Sequence, residues 1–194
     1  MDAGAITKHH DPNPDENPWV HGKPPVENVA VVAYSPNWPE RFRELAYAIK
    51  TTLGDAALSI EHVGSTSVPG LAAKPVIDID LTVKDPADEP SYAPQLEGIG
   101  YDLCVREPSW HEHRCFRLEA LRVNLHVFGP DCPEAIRHMM FREWLKSHPD
   151  DLRLYERAKL GALTGANGVA EYNLRKQPVI REIYARMFKA AELL

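Results

Sequence analysis

Between residues 76 and 83 the chain alternates strictly. Ile77, Ile79, Leu81 and Val83 fall on one face, and Asp78, Asp80 and Thr82 on the other. A repeat of two is the period of a β-strand, so this run is predicted to be a strand with one face in the core. The opposite face then carries two carboxylates about 6.5–7 Å apart, from a rise of about 3.3 Å per residue. Two such charges repel unless a cation neutralises them. Asp-x-Asp by itself is most often the solvated face of an edge strand. An acid pair in the middle of a sheet needs a reason, and the preceding residues supply one.

Those residues are Glu61-His62-Val63-Gly64-Ser65-Thr66-Ser67, then a loop ending in Lys74-Pro75. Gly64 permits backbone angles that expose successive N–H groups, and the Ser65, Thr66 and Ser67 hydroxyls are donors suited to phosphate oxygens. Strand–loop–strand order brings this turn and the acid pair to one end of the sheet. Hard carboxylate oxygens suit Mg²⁺ (or Mn²⁺), which also takes substrate phosphates. A phosphate cradle beside a metal-binding acid pair is the minimal apparatus for nucleotidyl or phosphoryl transfer. His62 is expected beside the loop, as a site residue or as its support. Lys74 is expected to neutralise a phosphate, to pair with an aspartate, or to lie in solvent.

Elsewhere the spacing predicts a helix from about residue 38. Trp38, Phe42, Leu45, Ile49 and Leu53 make its apolar face, Ser35 or Asn37 caps it, and Gly54 stops it. Strands are expected at 57–63, 101–105, 115–118 and 122–128, with a strand or lead-in at 30–34 and a short helix near 91–97. Three helices follow, at about 133–147, 150–163 and 171–192. Helices grouped at both ends of a mixed sheet make an α+β plan, with a helical C-terminal half, and not a βαβ repeat. Residues 1–28 hold five prolines and five acids against two lysines. They read as a flexible, extended arm before a domain at 29–194, with Trp19 and Val20 as anchors and His9, His10 and His21 as parts of a polar tail.

The net charge of −6 argues against a general nucleic-acid binder. Three cysteines without a spacing framework suggest reduced thiols and a cytoplasmic setting. No apolar run reaches the roughly 18 residues of a membrane span. His111 and His113 fall in a connection where shared facing is not assured. Arg142, Lys146, Lys159, Arg175 and Lys176 are basic residues on helices that could line a cleft.

The segment IEHVGSTSVPGLAAKPVIDIDLTV resembles the signature of the GrpB family. The likeness extends through SPNWPERFRELA, NLHVFGP, FREWLKSHPDDLRLYERAKLGAL and EYNLRKQPVIREI, covering about residues 30–190. That resemblance implies a fold like the nucleotidyltransferase superfamily, in which a Gly-Ser pair meets substrate phosphate and two aspartates bind metal. Carried over, those roles fall on Gly64, Ser65, Asp78 and Asp80. Such enzymes typically add a third carboxylate from a later strand. Residues 122–128 hold none; Asn124 or His126 takes that place, with His126 a neutral metal ligand, a general base or a hydrogen-bonded strand residue. The implied partner is a nucleoside triphosphate or another phosphorylated small molecule. The alternative is a non-catalytic phosphate-binding module, with a link to coenzyme A metabolism through family members fused to dephospho-coenzyme A kinase.

Overall fold

The computed structural model describes residues 3–10, 13–24, 30–166 and 168–194. Five strands, β1 (Ser59–Val63), β2 (Ile77–Thr82), β3 (Asp102–Glu107), β4 (His113–Leu118) and β5 (Val123–Phe128), form one sheet in the order β1-β2-β5-β4-β3. The β2–β5 pair is parallel and the other three are antiparallel. The helices are α1 (Ala3–Thr7), α2 (Trp38–Leu53), α3 (Ala93–Gly98), α4 (Pro133–Ser147), α5 (Pro149–Leu163) and α6 (Val169–Ala190). The architecture is α+β, as the element pattern predicts.

Alternation sets the layers. Ile77, Ile79 and Leu81 of β2 join Val123, Leu125 and Val127 of β5 in a core under α2 and α3, where Trp38, Leu45 and Ile49 meet them. Pro39 suits the first turn of α2, and Gly54, at φ 55°, ends it. The sheet's other face carries Asp78, Asp80, Asn124 and His126. It is covered by α4, which reaches down with His138 and Arg142. Two smaller apolar clusters hold α4, α5 and α6 together. One is built on Leu145, Tyr155 and Ile183, the other on Tyr184, Met187 and Phe188.

Of the strand or lead-in expected at residues 30–34, the structure has the lead-in: Val32 forms an isolated bridge to Ala73. The arm is not simply extended. Ala3–Thr7 is helical, and Ile6 is buried against Tyr184, Met187 and Phe188. Trp19 bridges to Val105 on the edge strand β3, so Trp19 and Val20 do tie the arm to the body. One apolar side chain joining an apolar cluster outweighs a polar composition. Of the arm prolines, Pro12 and Pro25 lie outside the described residues.

Candidate active site

The sheet register builds the site. Pairing of β2 with β5 sets Asp78 beside Asn124 and Asp80 beside His126, with each pair on one face. Asn124 Nδ2 donates to Asp78 Oδ1 at 2.9 Å. His138, from α4, donates through Nδ1 to Asp80 Oδ2 at 2.8 Å, and its Nε2 lies 3.6 Å from Glu134 Oε1. Asp80 is only 3% exposed, and its Oδ1 is a buried oxygen with no hydrogen-bond partner.

Gly64 closes the floor. Its φ of 68° and ψ of −172° lie in a region that only glycine adopts without strain. A Cβ there would overlap Asp78 Oδ2 and lie 3.0 Å from Asp78 Cβ. The turn can therefore approach the carboxylate only because residue 64 has no side chain.

The three hydroxyls take different partners. Thr66 is buried, and its Oγ1 donates to the carbonyl of Val76 at 3.1 Å. Ser67 Oγ donates to the carbonyl of Gly64 at 2.6 Å. Ser65 Oγ lies 3.4 Å from Tyr155 Oη. His62 is turned away. Register places it with Ile79 on the core face, where it stacks on Phe42 with ring centroids 4.8 Å apart and lies 3.0 Å from Thr66 Oγ1. It supports the loop from behind. Lys74 is partly buried, and with Lys176 and His138 it contributes positive charge felt at Asp78.

The electrostatics follow from this packing. Burial raises Asp78 above the usual carboxylate range; the Asn124 hydrogen bond and nearby Lys176 and Lys74 offset part of that. Burial opposes charge on His138, but the charge and hydrogen bond of Asp80, helped by Glu134, outweigh it and raise the imidazole to about 9. His126 moves the other way. Burial, then His113 and His138, hold it well below its usual value, so it is neutral. Its Nδ1 lies 3.0 Å from His113 Nε2, and His113 Nδ1 lies 2.7 Å from Glu107 Oε2. With a neutral His113 donating from Nδ1 to Glu107, its Nε2 accepts from His126 Nδ1–H. That tautomer leaves a lone pair on His126 Nε2. Such a group is a ready lone-pair donor.

Of the helical basic residues, Lys176 lends positive charge to Asp78 and lies over the Tyr172 ring at 4.7 Å. Arg142 is taken up by Glu61 and the carbonyl of His62, Lys146 by Glu143, and Arg175 by Glu171 and the Thr164 carbonyl. Lys159 is fully buried and donates to the carbonyl of Ala72.

A family model described as "GrpB protein" matches residues 28–186. The chain belongs to the GrpB family. A UPF0157 protein of Halalkalibacterium halodurans is 44% identical to this GrpB chain over 165 residues, covering 84% of the chain and 85% of that protein. The crystal structure of a GrpB protein from Enterococcus faecalis superposes with a TM-score of 0.72 at 30% identity, covering 84% of this chain and 99% of that one. A dephospho-CoA kinase of Mycolicibacterium paratuberculosis is 31% identical over 191 residues, covering 84% of this chain but 47% of the kinase. The resemblance read from the sequence is thus shown, as is the α+β fold of GrpB. Glu134, His138, Glu107 and the inward role of His113 went unread because no spacing rule links them to residues 64–80. The one available signal was His138 falling four residues after Glu134 on a helix.

Proposed function

We propose that this GrpB chain binds a nucleoside triphosphate together with Mg²⁺ (or Mn²⁺) and transfers its nucleotidyl group to an acceptor hydroxyl. The observation that carries this reading is Asp80 Oδ1, a buried carboxylate oxygen without a partner, beside Asp78 and the Gly64–Ser65 turn. A buried anionic oxygen left unpaired is costly, and a divalent cation is the partner it lacks. Asp78 and Asp80 would hold the ion, with neutral His126 as an adjacent lone-pair donor. Once bound, the ion would neutralise phosphate oxygens.

The chain's own residues do the rest. The Ser65 hydroxyl and the N–H groups opening the turn receive phosphate oxygens. Lys176 and Lys74 add positive charge near the acid pair. A cavity of about 370 Å³ opens between α4 and α6, lined by Trp110, Glu134, Arg137, Lys176, Gln177 and Tyr184 among others. Cationic and aromatic side chains together suit a base and its phosphates. In the transfer, the acceptor oxygen bonds to the α-phosphorus, the bond to the β-phosphate oxygen breaks, pyrophosphate departs and the hydroxyl proton passes to solvent.

A second reading, a binding module without turnover, draws on two observations. The β5 strand presents Asn124 and His126 where a third acid would serve, and His138 already places positive charge on Asp80. A calorimetric titration of Mg²⁺, then of the four nucleoside triphosphates and dephospho-coenzyme A, separates the cases. Binding that vanishes in Asp78→Asn/Asp80→Asn supports both readings, and its absence in the wild type sinks both. Pyrophosphate release on adding hydroxyl acceptors selects the enzyme; binding without release selects the module.

A further inference from the structure

We propose that His21, Asp102 and Cys104 form a binding site for a zinc-type divalent cation, which clamps the N-terminal arm to the edge of the sheet. The site lies on β3, the outer strand opposite β1, well removed in the strand order from the Asp78–Asp80 strand. His21 Nε2 lies 2.9 Å from Asp102 Oδ2, and Cys104 Sγ lies 3.3 Å from the same oxygen. All three ligand atoms fall within 4.8 Å of one another. Zinc bonds of about 2.0–2.3 Å at a tetrahedral angle set ligand atoms about 3.2–3.6 Å apart, so the Asp102–Cys104 pair is already at that spacing and the His21–Asp102 pair needs to open by a few tenths of an ångström.

Two independent features aim these side chains together. The first is a bulge. Leu103 pairs with Phe116 and Val105 with Cys115, leaving Cys104 as an extra residue outside the β3–β4 ladder. A bulge of this kind redirects one side chain, here a thiol beside a carboxylate. The second is the arm's own pairing. Val20 N–H donates to the Cys104 carbonyl at 3.0 Å and Arg106 N–H donates to the Pro18 carbonyl at 2.8 Å, which fixes His21 over Asp102.

Imidazole, carboxylate and thiolate together form a mixed set that favours zinc over magnesium. Cys104 is also the least buried of the three cysteines. His21 and Asp102 are 60% and 63% exposed, which leaves room for water as a fourth ligand. The family match begins at residue 28, so His21 comes from the arm outside the matched region, while Asp102 and Cys104 lie within it.

Cobalt(II) titration of the full chain tests this, since thiolate ligation produces a near-ultraviolet charge-transfer band. One equivalent should develop the band, and added Zn²⁺ should erase it. Cys104→Ser should abolish it, whereas Asp78→Asn/Asp80→Asn should keep it. His21→Ala should weaken cobalt binding by more than about tenfold, the scale already seen on removing outer-shell partners. The proposal falls if the wild type gives no band, if the band survives Cys104→Ser, or if His21→Ala binds as the wild type does. Matching far-ultraviolet circular dichroism shows that each surface variant is folded.

Discussion

Replacing Gly64 by alanine tests the geometry of the site most directly. The backbone there has φ 68° and ψ −172°, so a side chain is strained before it touches anything. Strain of this kind costs about 1–3 kcal/mol. The new methyl would also overlap Asp78 Oδ2, with Asp78 Cβ at 3.0 Å and Cγ at 3.1 Å. Asp78 would have to move, which strains its hydrogen bond from Asn124. Displacement in a packed site adds about 1–3 kcal/mol. Gly70 provides the control: its φ is 81°, but a Cβ there meets nothing within 4 Å. Gly64→Ala should therefore lose about 3 kcal/mol and melt about 6–12 °C lower, while Gly70→Ala should lose about 1 kcal/mol and melt about 2–4 °C lower. Differential scanning calorimetry reads both. Combining Gly64→Ala with Asp78→Ala should cost less than the sum of the single changes, because the overlapping carboxylate is gone. Equal melting of the two glycine variants, or strict additivity in the double variant, would refute the close approach.

Two further outcomes follow from buried charge. His138→Ala leaves Asp80 without its hydrogen-bonded cation, so stability should fall by about 3 kcal/mol, and adding Asp80→Asn should recover more than half of it on chemical denaturation. Lys159 is only 1% exposed, and burial, then Lys176, lowers its ammonium from 10.5 to about 7. Between those values the unfolded chain binds the proton and the folded chain does not, so stability gained from this group rises with pH from about 7 to about 10.5. Wild type should accordingly gain on Lys159→Met in melting temperature as pH rises from about 6 to about 9; parallel curves would contradict the burial argument.

Much of the fold is legible in local pattern. The two-residue alternation at β2 and the three- and four-residue spacing along α2 depend only on which side chains must leave water. Asp78 and Asp80 share a face for the same reason, and Gly64 and Ser65 precede them at a distance any strand–loop–strand unit would bring together. Which partner faces those residues is another matter. His62 looks like a site residue in sequence, yet antiparallel pairing with Ile79 turns it onto Phe42. Thr66 and Ser67 look like phosphate donors, yet each satisfies a nearby carbonyl.

Local pattern suffices for the five strands, the helices from α2 to α6, the apolar faces and the acid pair behind a glycine turn, because these follow from periods of two and 3.6 residues. Tertiary structure alone decided that His138, 58 residues beyond Asp80, supplies its counter-charge, and that Glu107 and His113 set the tautomer of His126. It also decided that Ile6 docks the start of the arm. The physical reason is common to all three. Strand register and helix placement are set by burial summed over the whole core, while charge and hydrogen bonding act between whichever groups that packing brings within a few ångströms.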